Sequence, residues 1–266
     1  MVPSILSFAT RSDVVTDPFP HILIEDALPA SYYAQLAHEY PTFEAMVGRG
    51  PYKNNHLYQR SAFELATMPA VSPAWRAFVA YHMSRDFFHE AIELFGQHIR
   101  QAYPALEREL GKPLKQFSIG GRRPGKSKDR DAARDEAKID VQCCFNSPVV
   151  ERSSVRTAHV DSRFKLFTGL LYFRDQADDS GGGDLELYHY NPAEAQFDQK
   201  SQLLRGNFEV RRTVRYRPNV LVMWVNSPMA LHGVSPREIT KVPRRYVNFL
   251  CETYKQRNGL FSLPGQ

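Results

Sequence analysis

Residues His159-Val160-Asp161 and, 71 residues after the aspartate, His232 place the tightest constraint on what this chain can become. Side chains at i and i+2 of an extended segment point the same way, so His159 and Asp161 can face one metal ion together. An imidazole reaching that point from so far along the sequence requires a fold that brings strand after strand back to one place. Two histidines and a carboxylate on one face of a metal leave the opposite positions open, the arrangement suited to non-haem Fe(II). A His-x-Asp tripeptide is common by chance, so its weight depends on what flanks it.

The flanks read as strands. From Ile139 onward, extended segments are expected at 139–146, 155–161, 165–173, 184–188, 207–216, 219–225, 231–234 and 244–254. They are short and separated by polar turns, among them Ser180-Gly181-Gly182-Gly183-Asp184, with no long helix between them. That pattern predicts a sandwich or jelly roll. The first half differs. Residues 18–26 alternate like a strand, and Pro29 and Ser31 open a helix that should run to Tyr40, where Pro41 stops it. Ser72-Pro73 and Ser84 start two more helices. The second carries an apolar stripe of Phe88, Ile92, Leu94, Phe95 and Ile99. Between Pro41 and Ser72 lies a polar stretch with Tyr52, His56, Tyr58 and Arg60, read as a loop of the kind that reaches over a neighbouring site. The expectation is an α+β chain forming one domain, 1–266. Residues 1–138 are its helical support, 139–254 the core and 255–266 a tail.

Composition narrows the function. At 42% hydrophobic residues the chain has material for a sizeable core, and no apolar run approaches a membrane span. The first residues lack the charged and apolar pattern of a secretory leader. Cys143, Cys144 and Cys251 suit a reducing, cytoplasmic interior rather than a disulfide framework. The net charge of +5 is concentrated between Gly111 and Lys138. Its richest part, a Gly-, Pro- and Ser-containing loop at 120–131, favours an anionic partner. Mixed signs and the absence of interleaved aromatics argue against a nucleic-acid surface. His38, His56, His82, His89, His98 and His189 lack ligand-spaced partners and read as packed or solvated.

Taken together, His-x-Asp, a strand ending in Leu171-Tyr172, Gly182-Gly183-Asp184-Leu185-Glu186-Leu187-Tyr188, His232-Gly233-Val234 and Arg245-Tyr246 follow a familiar order. It resembles the catalytic core of the 2-oxoglutarate/Fe(II)-dependent dioxygenases, prolyl-hydroxylase-like branch, over residues 139–254. The resemblance implies a double-stranded β-helix (jelly-roll) core with N-terminal supporting helices. It also implies iron ligands His159, Asp161 and His232, with 2-oxoglutarate as cosubstrate and O2 as oxidant. Arg245 would hold the distal carboxylate of 2-oxoglutarate with help from the Tyr172 hydroxyl, a role for which a planar, permanently charged fork is suited.

Arg244 is the alternative to Arg245, whereas Arg237, in a turn-like segment, should be exposed. Tyr172 shares a face with Thr168 and Leu170 and reads equally as a core tyrosine. Gln142 and Asn146, on one face of the preceding strand, are candidate cosubstrate and substrate contacts, or satisfied polar groups lining a barrel. The implied reaction hydroxylates an unactivated C–H bond of a small-molecule or peptidyl substrate and releases succinate and CO2. The competing reading is a metal-binding, cupin-like jelly roll without oxygenase activity, serving as an isomerase or ligand-binding module.

Overall fold

The computed structural model describes residues 2–123 and 134–265, so most of the basic loop at 120–131 lies outside the described residues. The chain begins with β1 (His21–Ile24), α1 (Ala30–His38), α2 (Phe43–Val47), β2 (Leu57–Arg60) and α3 (Ala62–Thr67). α4 (Pro73–His82), α5 (Arg85–Ala102), α6 (Leu106–Leu110) and β3 (Ile119–Gly121) complete the first half. The second half is almost all strand: β4 (Ala137–Asn146), β5 (Lys165–Tyr172), β6 (Leu185–Tyr190), β7 (Gln196–Phe197) and β8 (Leu203–Arg205). β9 (Phe208–Val214), β10 (Leu221–Val225), β11 (His232–Val234) and β12 (Arg244–Glu252) follow.

Helix starts follow the local chemistry. Ser72 and Ser84 each accept a hydrogen bond from the backbone N–H three residues on, at Trp75 and Phe87, and Pro73 occupies the first turn of α4. α1 ends at His38, short of Tyr40. The polar stretch read as a loop contains α2 and the edge strand β2, which pairs with β4.

The large sheet runs β1-β10-β5-β12-β4-β2, all antiparallel, with β3 added parallel to β4. The smaller sheet runs β11-β6-β9, and β7 pairs with β8 alone. The architecture is mixed α+β around a large antiparallel sheet. Alternation along the central strands then sorts the side chains. Val141, Cys143, Phe167, Leu171, Met223, Val247 and Phe249 point to the helices, packing with Trp75, Phe78, Phe87, Phe88 and Phe95 in one core. Cys144, Tyr172, Val222, Trp224 and Tyr246 point the other way. They meet Leu185, Leu187, Val214 and Tyr216 from the smaller sheet and its surroundings. The space between the two sheets is where the site lies.

One expected strand is missing. Residues 155–161 form isolated bridges only, His159 with His232 and with Gln202. Their backbone bonds are divided between two neighbours: His159 exchanges both with His232, while Val160 donates to Ser201 and Ala158 accepts from Leu203. A ladder cannot propagate when partners change at each residue. The Gly-rich turn at 180–184 appears as expected. Gly182 has φ +71°, and an added Cβ would lie 1.9 Å from the Pro236 carbonyl oxygen, so only glycine fits there.

Candidate metal centre

His159, Asp161 and His232 are all buried, and one donor atom from each lies within 4.8 Å of the others. The structure therefore brings together residues 71 positions apart, through the short bridge between the His159 segment and β11. The imidazole Nδ1 of His159 lies 2.8 Å from the Thr157 carbonyl oxygen, and that of His232 lies 2.9 Å from the Ala230 carbonyl oxygen. Each Nδ1–H donating to a carbonyl leaves Nε2 as a free lone pair, the tautomer a metal ligand needs. Burial pushes both imidazoles below their ordinary pKa, so they are neutral and able to coordinate.

Asp161 is the complementary case. Burial alone would raise its pKa, but the Lys165 ammonium leads the opposing charges that outweigh it and hold the carboxyl far below the usual range. Its Oδ2 accepts from Thr168 Oγ1 at 2.9 Å and meets Lys165 Nζ at 3.0 Å. Oδ1 is left to point elsewhere. The Trp224 ring stands 4.7 Å from the His232 ring and walls off one side.

These residues line a cavity of about 630 Å³. Its long wall is β12, whose Arg244, Tyr246, Asn248, Leu250 and Glu252 all face inward. The strand alternation corrects the arginine assignment. Arg245 faces the helices with Val247 and Phe249, over the Tyr40 ring at 5.3 Å, and bonds the Phe173 carbonyl at 3.0 Å and Asp175 at 3.1 Å. Arg244 is the residue in the cavity.

Arg244 is 2% exposed and sits among Tyr172, Tyr216 and Tyr246, its guanidinium carbon 5.0, 4.7 and 4.8 Å from their ring centres. Nη1 donates to Asn146 Oδ1 at 3.2 Å. Nε and Nη2 are buried without a hydrogen-bond partner among the described residues, as are the Tyr172 hydroxyl and Asn146 Nδ2. Burial pushes the Tyr172 hydroxyl up to about 12 against the opposing pull of Arg244, so it is a neutral donor. Tyr172 and Asn146 thus stand behind Arg244 rather than on the cavity wall.

Gln142 lines the cavity, but both ends of its amide are engaged, donating to Asp140 at 2.9 Å and accepting from Asn248 at 3.0 Å. Gln59 and Leu57 from β2 also reach the cavity, whereas Tyr52, Tyr58 and Arg60 do not. Arg237, expected to be exposed, is 1% exposed and bonds Asp178 at 2.8 Å, Ser180 Oγ at 2.9 Å and the Val242 carbonyl at 2.8 Å. It staples the Gly-rich turn to the loop after β11, away from the cavity.

Sequence reasoning passed over Thr168, Lys165 and Trp224 as site residues and ranked Arg244 second. The signal for Arg244 was present. Val247, Phe249 and Cys251 are apolar while Asn248 and Glu252 are polar, so the even-numbered face of that strand is the one away from the helix-covered core.

Neither a protein-family model nor a curated protein sequence matches this chain. Solved structures to which it is similar include a Pseudomonas putida prolyl-4-hydroxylase, with 13% identity and a TM-score of 0.47 over 88% of this chain and 92% of that one. A prolyl 4-hydroxylase from Phytophthora capsici gives 14% identity and a TM-score of 0.46 over 88% of this chain, which spans only 59% of that one. The dioxygenase for auxin oxidation 1 from Arabidopsis thaliana, in complex with 2-oxoglutarate, gives 14% identity and a TM-score of 0.43, covering 88% and 83%. The side chains, rather than these likenesses, carry the functional reading.

Proposed function

We propose that this protein is an Fe(II)- and 2-oxoglutarate-dependent dioxygenase that hydroxylates an unactivated C–H bond. In this reading residues 139–254 form a double-stranded β-helix core, with residues 1–138 as its supporting layer. His159, Asp161 and His232 would hold the iron. One observation carries the proposal: a buried arginine, Arg244, shares the cavity with the three candidate ligands and has two unpartnered nitrogens. Burying a guanidinium without a counter-charge is costly, and a bound carboxylate removes that cost.

The donor set and the orphaned polar atoms fit the group. Two neutral imidazoles and one carboxylate occupy one face, and Arg244, on the cavity wall, offers unpartnered Nε and Nη2 to a carboxylate. Arg245 has no part in it. Bound Fe(II) with 2-oxoglutarate would supply oxidative decarboxylation coupled to C–H hydroxylation, giving succinate and CO2. The chain contributes orientation and charge. Thr157 and Ala230 fix the imidazole tautomers, Thr168 and Lys165 fix the carboxylate, and Trp224 and the tyrosines exclude water. No protein acid or base is required.

The competing cupin-like reading keeps the three ligands but leaves Arg244 without purpose. Succinate formation from 2-oxoglutarate by the Fe(II)-loaded protein in air, measured beside His232→Ala, separates the two. Slow succinate release that is lost in the variant supports the oxygenase. Stoichiometric metal binding with no succinate, alone or with candidate substrates, supports the alternative.

A further inference from the structure

The cavity wall is unevenly charged. Among the described residues, Arg122, Arg156, Arg163, Lys165, Lys200 and Arg244 line it, against two carboxylates, Asp161 and Glu252. Three of the six cations have evident roles. Arg122 is tied to Glu252 at 2.8 Å and Asp140 at 3.4 Å, Lys165 to Asp161 at 3.0 Å, and Arg244 sits in its tyrosine box. Arg156, Arg163 and Lys200 have no carboxylate within ion-pair distance among the described residues.

All three line the cavity that holds the candidate ligands. Arg156 Nη2 donates to the Lys200 backbone carbonyl oxygen at 3.5 Å, which ties the segments carrying these two cations together beside the cavity. Arg163 lies two residues past Asp161, its guanidinium 5.7 Å from the Phe164 ring centre. Arg156 and Arg163 therefore bracket the segment that carries His159 and Asp161. At about 3.3 Å per extended residue, both fall within roughly 10 Å of the ligands along the chain.

A divalent metal and a dianionic cosubstrate cancel one another, so loading the site leaves the surplus positive charge in place. A concave wall of one sign concentrates that field on whatever enters next. We propose that the substrate carries a carboxylate or phosphate close to the carbon that is oxidised, and that Arg156, Lys200 and Arg163 grip it. The proposal rests on the oxygenase reading for its view of which ligand comes second.

The test is calorimetric titration of protein loaded with Zn(II) and saturating 2-oxoglutarate. The probes are O-phosphoserine and N-acetylaspartate, which separate the two sources of anion. The wild type is expected to bind at least one probe. Arg156→Gln/Lys200→Gln should weaken that binding about tenfold or more, with 2-oxoglutarate affinity unchanged, and Arg163→Gln should weaken it to a lesser degree. Rising salt should weaken it as well. Unfolding midpoints control for the fold of these variants. Binding of neither probe, or variants that bind like wild type, would overturn the proposal. Failure of 2-oxoglutarate to bind, with probe binding intact and dependent on Arg156 and Lys200, would instead sink the cosubstrate reading and leave the anion site standing.

Discussion

The guanidinium carbon of Arg244 stands 5.0 Å from the ring centre of Tyr172, and two guanidinium nitrogens and the tyrosine hydroxyl all lack a hydrogen-bond partner among the described residues. Arg244 is thus a buried cation with unpartnered donors on the wall of the cavity that holds the candidate ligands. Arg245, one residue on, points to the helices and is already paired with Asp175. Arg244→Gln is therefore expected to weaken 2-oxoglutarate binding by about 100-fold or more, in line with the 2–5 kcal/mol typical of losing one partner of a buried charge pair. Arg245→Gln should change it by no more than a few-fold. Titration of the Zn(II)-loaded proteins reads both, and the reverse ranking would refute the assignment.

Thr168 bears on the metal rather than the cosubstrate. Its hydroxyl donates to Asp161 Oδ2 at 2.9 Å. Thr168→Val keeps the shape and removes the bond, and loss of such support for a ligand costs about 10–100-fold in metal affinity. Competition for Zn(II) with a chromophoric chelator measures this. An unchanged affinity would mean that Lys165 alone holds the carboxylate.

Acid should destabilise the fold partly through His82. This imidazole is fully buried, lies 3.1 Å from the Ile5 backbone N–H and 2.8 Å from the Phe78 carbonyl, and is pushed down to about 3 by burial. A base with a lowered folded-state pKa is protonated first in the unfolded chain. Its contribution is therefore complete above the ordinary value of 6.5 and is lost as pH falls toward 3. The loss is about 1.4 kcal/mol per pH unit within that window. His82→Gln should flatten the dependence of urea-unfolding free energy on pH by about one proton between pH 6 and 4. An unchanged slope would contradict the buried neutral state.

Arg237 and Asp178 form an ion pair at 2.8 Å with side-chain exposures of 1% and 0%. Asp178→Asn removes the counter-charge and leaves the guanidinium buried, a change that typically costs about 3–5 kcal/mol. A fall in the unfolding midpoint with metal affinity retained in the folded protein is expected. A stability equal to wild type would show that Ser180 and Val242 suffice to hold the arginine.

How much of this could be read beforehand depended on whether neighbours decide the structure. β4 and β12 are legible because alternation exposes an apolar face in the sequence, and β10 because all five of its residues are apolar, as befits a strand buried on both faces. The same alternation puts Tyr172 and Arg244 on the inner side, so Arg244's place on the cavity wall was legible too, whereas motif context favoured Arg245. Residues 155–161 were not legible as non-strand, because their backbone partners, His232, Ser201 and Leu203, are distant in sequence. Arg237 looked like turn surface because the carboxylate that buries it, Asp178, lies 59 residues away. Lys165 and Thr168 meet Asp161 only where the chain turns back into β5, which tripeptide spacing does not reveal.

The most direct measurement is anaerobic addition of Fe(II) and 2-oxoglutarate to metal-free protein, followed by the weak visible charge-transfer absorption of the iron–cosubstrate chelate. The account predicts a band in the wild type and in Arg245→Gln, and its loss in His159→Ala and Arg244→Gln. Stoichiometric iron binding without a band in the wild type would contradict the account, as would a band that depends on Arg245 and survives without Arg244.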